Sequence, residues 1–206
     1  MGRYTISITE ILYVHFIFSI MKVYVIDNGG QWTHREWRTL RYLDVDAEIV
    51  ANTTPLEKLN DADALVLSGG APRIGLEERL GNTDEYLQHA PCPILGICAG
   101  HQYMARFFGG ECGEAEVPEY GKVEIEVVER DVLFVNVPEK MIVWESHNDE
   151  VIRMPPDFVL LASSENCTVQ AMRHKRRPLF GVQFHPEVEH TRFGKEIFMN
   201  FLQEAR

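Results

Sequence analysis

Apolar runs four to seven residues long alternate, in the first half of the chain, with stretches of mixed polarity. Lys22–Asp27, Asp46–Val50, Ala64–Ser68 and Ile94–Ile97 read as strands. Helical segments are predicted around Trp32–Tyr42 and Asn82–His89, a short helical piece near Pro55–Leu59, and a helix from Cys98 to about Phe108. Strands alternating with helices imply a largely parallel sheet covered on both faces, with right-handed connections. The pattern then changes. Glu114–Glu129 sets Val123, Ile125 and Val127 against Lys122, Glu124 and Glu126, the period of a half-exposed antiparallel strand. Phe158–Ala162, Val169–His174 and Leu179–Phe184 continue in that style, and a last helix gathers Phe193, Ile197, Phe198, Phe201 and Leu202 on one face. The expected fold is α/β: an open, mostly parallel twisted sheet with helices on both faces, plus a smaller antiparallel sheet.

Length and charge narrow the picture. At 206 residues, with no linker, repeat or low-complexity tract, one domain is expected. A formal net charge of -11 argues against nucleic-acid binding, which needs a concentrated basic surface. The basic run Lys175-Arg176-Arg177 reads as a solvated hairpin tip. Cys92, Cys98, Cys112 and Cys167 show no Cys-x-x-Cys spacing and read as free thiols of a reducing cytoplasm. The histidines form no ligand motif, so no metal is required. Ile11–Ile20 is apolar but about half the ~20 residues that span a bilayer, and no signal-peptide pattern surrounds it. No membrane association is expected.

The chemistry concentrates at two motifs. Gly96-Ile97-Cys98-Ala99-Gly100 is the thiol counterpart of a nucleophile elbow: a strand breaks sharply into a helix with the nucleophile at the break. Free N–H groups and the positive end of the helix dipole favour a thiolate at Cys98. A thiolate nucleophile needs an acid/base and a group to orient it. In Gly181-Val182-Gln183-Phe184-His185-Pro186-Glu187, the proline forces extended backbone at His185, so His185 and Glu187 project to one side and can pair. Attack on a carbonyl also needs donors for the developing oxyanion. The N–H of Ala99 is one, and Gly70, in the strand-ending Ser68-Gly69-Gly70, is the other.

These motifs, in this order, resemble the class I glutamine amidotransferases. Asp27-Asn28-Gly29-Gly30-Gln31, Ser146-His147-Asn148-Asp149-Glu150-Val151 and Gln183-Phe184-His185-Pro186-Glu187-Val188 are more narrowly similar to the glutaminase subunits of two-subunit GMP synthases. The resemblance covers residues 21–206 and leaves 1–20 as an extension outside the common fold. It implies L-glutamine as substrate, with Cys98, His185 and Glu187 catalytic and Gly70 and Ala99 at the oxyanion. It also implies substrate contacts by Gln102, one turn beyond Cys98, and by Ser146, His147 and Asn148, largely through main chain. Many relatives carry glycine where Asn148 stands. The resemblance further implies no cofactor in this chain. ATP and Mg2+ belong to a partner ATP-pyrophosphatase (synthetase) subunit, which adenylates XMP and receives the ammonia.

Other readings share the chemistry. The chain could serve anthranilate or aminodeoxychorismate synthesis, or act as a free-standing γ-glutamyl hydrolase. A non-enzymatic binding module is disfavoured by the complete Cys98, His185 and Glu187 set. No Walker or pyrophosphatase loop is present, since Ala71-Pro72-Arg73 follows the glycine pair.

Overall fold

A computed structural model describes residues 21–76 and 79–205; the expected extension at 1–20 lies outside the described residues. One nine-stranded sheet runs through the molecule in the order β2-β1-β3-β4-β9-β8-β7-β5-β6. Its parallel half comprises β2 (Asp46–Ala51), β1 (Lys22–Asn28), β3 (Ala64–Gly70), β4 (Ile94–Ile97) and β9 (Leu179–Val182). The antiparallel half comprises β8 (Ala171–His174), β7 (Phe158–Ser163), β5 (Glu111–Val127) and β6 (Lys140–Arg153). The antiparallel strands expected as a smaller sheet therefore continue the main one, through the pairing of β8 with β9.

Alternation along the central strands divides the core in two. Val23, Val25, Val66, Leu95 and Ile97 face one side, with Leu40 of α1 (Thr33–Tyr42) and Ile197, Phe198 and Phe201 of α4 (Gly194–Gln203). Tyr24, Ile26, Leu65, Leu67 and Ile94 face the other, with Tyr86 and Leu87 of α2 (Thr83–His89) and Tyr103 and Met104 of α3 (Ala99–Phe107). Successive side chains of a strand point to opposite faces, so near-continuous apolar runs are what a doubly covered sheet requires.

The strand missing from the sequence reading is β6. Its buried positions are Met141, Val143, Glu145, His147, Asp149 and Val151, a strict period of two in which three members are polar. It pairs with β5 along most of its length, with a register shift between Glu114 and Glu119. The basic run at 175–177 forms the turn from β8 to β9, as expected for a hairpin tip.

Candidate active site

Three neighbouring parallel strands end at one place. Leu67 of β3 is level with Gly96 of β4, and Gly96 with Gly181 of β9. The residues at or just past those strand ends, Gly69-Gly70, Cys98 and Gln183–Glu187, converge at the carboxyl edge of the sheet, the usual position for sites in open α/β folds.

Cys98 stands between β4 and α3 at φ 48° and ψ -104°, the left-handed side of backbone space that a side chain seldom occupies. Its N–H donates to Val182 O at 2.9 Å, which ties the bend to β9. The flanking glycines make the bend possible. A β-carbon at Gly100 would lie 2.4 Å from Leu67 O, and one at Gly96 would lie 2.7 Å from the Gly100 backbone.

His185 reaches Cys98 from the segment after β9. Both side chains stand against Gly69, where an added β-carbon would meet His185 Cε1 at 3.1 Å and Cys98 Cβ at 3.7 Å. Glu187 Oε1 lies 2.7 Å from His185 Nδ1, so Nδ1–H donates to the carboxylate and Nε2 is left for the sulfur. The backbone of His185 is pinned at both polar groups: its N–H donates to Trp144 O at 2.9 Å, and its carbonyl accepts from Thr191 Oγ1 at 2.7 Å. Thr191 Oγ1 in turn accepts from Trp144 N–H. The Trp32 ring meets the imidazole edge-on, with centroids 4.4 Å apart.

Burial by itself lowers the His185 pKa, but the charge of Glu187 and the hydrogen bonds to Cys98 and Glu187 outweigh it. The imidazole is held well above its ordinary 6.5. Glu187→Gln should bring it down toward 6.5, as read by NMR titration of the imidazole. Because the folded-state pKa is raised, the ion pair's contribution to stability is complete below the unfolded pKa and is lost as pH rises through the folded one. The gap in unfolding free energy between wild type and variant should therefore narrow as pH climbs past that higher value.

Two cavities meet at Cys98. One, about 90 Å³, is lined by Arg73, Ala99, Gln102, Ser146, Asn148 and Asp149, with Gly70 at its edge. The other, about 250 Å³, is lined by Gly29–Trp32, Glu36, Gly69 and His185. Gln102 donates from Nε2 to Asp149 O at 2.5 Å and to Gln183 Oε1 at 3.1 Å, and Gln183 Nε2 lies 3.6 Å from Cys98 Sγ. Arg73 closes the smaller cavity by pairing with Asp149 at 2.5 Å. Asn148 lies within β6 opposite the register shift of β5, between the paired His147 and Asp149, and is not among the left-handed non-glycine residues described, Asp44, Cys98 and Asn136.

His147 also lines the smaller cavity, but its side chain is buried and bonded to interior groups. Its Nδ1 donates to Asp149 O at 3.1 Å, and its Nε2 lies 3.2 Å from Glu119 Oε2 and 3.5 Å from Glu145 Oε2. Glu119 also accepts from Ser164 Oγ and Gln170 Nε2. Burial first, and Glu119 second, raise the Glu145 pKa well above the usual carboxylate value. Glu119, His147 and Cys167 bring ligand-capable atoms within 4.8 Å of one another, a grouping that sequence spacing does not reveal. The hydrogen bonds just given already occupy Glu119 and His147.

Sequence reasoning also missed Gln183, Arg73, Trp32 and Glu36. Gln183 lay inside the quoted motif, two residues before the histidine. Glu36 shares one helix face with Thr33 and Leu40 at i, i+3 and i+7 spacing, and all three are buried.

A family profile described as "Glutamine amidotransferase class-I" matches residues 24–205. The chain is 53% identical over 184 residues to a subunit of glutamine-hydrolyzing GMP synthase from Thermoplasma volcanium, covering 89% of this chain and 91% of that one. It is 50% identical to the protein of the same name from Pyrococcus furiosus, covering 87% and 96%. A crystal structure of a protein described as the same GMP synthase subunit, from Thermoplasma acidophilum, superposes with a TM-score of 0.87 at 49% identity, covering 91% of this chain and 95% of that one. A glutamine amidotransferase of Thermotoga maritima, 18% identical with a TM-score of 0.75, shares the fold.

Proposed function

We propose, for a chain that belongs to the class-I glutamine amidotransferase family, that it is the glutaminase subunit of a GMP synthase. It is an enzyme, and it hydrolyses L-glutamine to glutamate and ammonia. The observation that carries the reading is a cysteine on a strained elbow against a histidine–glutamate pair, in a chain about half identical to proteins named for that reaction.

The roles assigned to individual residues are our own. Cys98 Sγ attacks the side-chain amide carbon. The N–H groups of Gly70 and Ala99 receive the developing oxyanion. His185 donates its proton to the departing nitrogen, the C–N bond breaks, and ammonia leaves behind a γ-glutamyl thioester. Water then loses a proton to His185 and adds to the thioester carbon. The C–S bond breaks, and glutamate and the thiol are restored. Glu187 orients the imidazole and stabilises its charged form. The smaller cavity takes the amino-acid end of glutamine, with Gln102 and the main chain of Ser146, His147 and Asn148 around it. Two findings support that assignment: these groups line one cavity, and the His147 side chain is turned inward, leaving its backbone to the substrate side.

The relatives' designation as a subunit points to a partner. We take it to be an ATP-pyrophosphatase subunit that holds ATP and Mg2+, activates XMP and uses the ammonia to make GMP. No described helix is long and apolar enough to cross a membrane, and we assign the chain to the cytoplasm. The test is a coupled assay. The chain alone should hydrolyse glutamine slowly, and adding the synthetase with ATP and XMP should raise glutaminase activity by roughly fivefold to 150-fold, the size of a typical coupling energy of about 1–3 kcal/mol. No rise with a synthetase shown to be active on free ammonia would overturn the assignment. Stimulation by a chorismate-using subunit instead would move the chain to that pathway.

A further inference from the structure

Glutamine carries a carboxylate and an ammonium on its α-carbon, and the groups placed around that end so far, Gln102 and main chain, are neutral. The smaller cavity, which takes that end, also holds a cation. Arg73, three residues beyond Gly70 in the turn that leaves β3, lines it. Among the described residues it is the only arginine or lysine lining either cavity at Cys98. In a chain of net charge -11 a carboxylate meets general repulsion, so a cation fixed at its destination decides where it settles.

The guanidinium is both reachable and already aimed. The Arg73 side chain is 42% exposed, whereas that of its partner Asp149 is 4% exposed. Nε–H donates to Asp149 Oδ1 at 2.7 Å, and Nη2 lies 2.5 Å from the same oxygen. Both contacts use one edge of the planar group. The Nη1–Nη2 edge is left without a protein partner among the described residues. Two parallel N–H groups on one edge are the fork that grips a carboxylate bidentately. Asp149 is itself tied into the site, since its carbonyl accepts from Gln102 Nε2 and His147 Nδ1. We propose that Arg73 binds the α-carboxylate of glutamine through this free edge, with Asp149 as the residue that positions it. The assignment rests on the amidotransferase reading above.

An arginine side chain gives up much rotamer freedom when it is fixed. Here Asp149 has fixed it before the substrate arrives, which leaves more of the interaction for affinity. The contact lies at the end of glutamine that does not react. The carboxylate keeps one charge in substrate, transition state and thioester, so Arg73 supplies uniform binding, felt in KM rather than in kcat. It also selects a free α-carboxylate over a neutral α-amide, which offers the fork a single acceptor and no charge.

The test compares L-glutamine with L-glutaminamide, whose α-carboxylate is replaced by a neutral amide of similar size. The rate of γ-amide hydrolysis is measured for the full chain, alone and with the synthetase, ATP and XMP. Wild type should favour glutamine in kcat/KM by about 10-fold to 150-fold, the worth of a hydrogen bond to a charged group. Arg73→Met should lose most of that preference. Its KM for glutamine should rise while kcat stays within about threefold, and its rate on glutaminamide should change little. A merely structural Arg73 would lower both substrates by one factor and keep the preference. Should the methionine variant not fold, with Asp149 left unpaired, Arg73→Lys keeps a cation for Asp149 without the fork and should reduce the preference about threefold or more. A preference unchanged in the folded Met or Lys variant, or absent from wild type, would overturn the role of Arg73 alone. A wild-type chain that hydrolyses neither compound, alone or with its partner, would overturn the amidotransferase reading and this inference with it.

Discussion

Glutamine hydrolysis should fall by roughly 10⁴-fold or more in Cys98→Ala, because no second nucleophile is placed to form the thioester. The fold should be retained. Alanine has the same β-carbon as cysteine, so the elbow keeps its backbone conformation, and the lost sulfur contact is a long one, at 3.6 Å from Gln183 Nε2. The melting temperature should stay within about 4 °C of wild type, the shift that ~1 kcal/mol produces in a chain of this size. In the complete synthase the variant should still support GMP formation from ammonium salts, since the proposed function places the ammonia acceptor on the partner subunit. Near-normal glutamate release by a verified Cys98→Ala sample would contradict the thioester scheme.

Gly100→Ala should have the next largest effect, and through a different route. The new β-carbon would sit 2.4 Å from the carbonyl oxygen of Leu67, a backbone atom of β3 that cannot rotate away. Helix α3 must then lift from the sheet or β3 must shift. Overpacking of this kind costs about 3 kcal/mol, which lowers Tm by roughly 6–12 °C. Activity should drop by about 10²-fold even below the transition, because displacement by about an ångström separates Cys98 from His185 and from the oxyanion donors. Calorimetry and glutaminase rates at 25 °C would test both parts. A variant with wild-type Tm and rate would show that the elbow does not depend on the close approach of α3 to β3.

What could be read from the chain, and what could not, divides along a physical line. The central strands are doubly covered and so continuously apolar, and the elbow and the His185–Glu187 pair are local in sequence. All were legible. Strand β6 was not, because its inward positions include Glu145, His147 and Asp149, which a hydrophobicity pattern assigns to solvent. Two of them are partnered by residues far away in the chain, His147 by Glu119 and Asp149 by Arg73, and no local rule connects them. Glu36 escaped for a similar reason. A charged residue on an otherwise amphipathic helix reads as surface until the end of β3 at Gly69 is seen to bond it. The continuity of the two halves of the sheet depended on the single pairing of β8 with β9, an edge-to-edge match that the order of elements leaves open.

One strand of the β5–β6 hairpin serves as common datum for two parts of the reaction. Trp144 fixes the backbone of the base, and the next residues, Ser146 to Asn148, border the space assigned to the amino-acid end of glutamine. On the roles assigned above, base and substrate cradle are therefore referenced to one strand, β6, while β9, which leads into the base, also holds the N–H of the nucleophile.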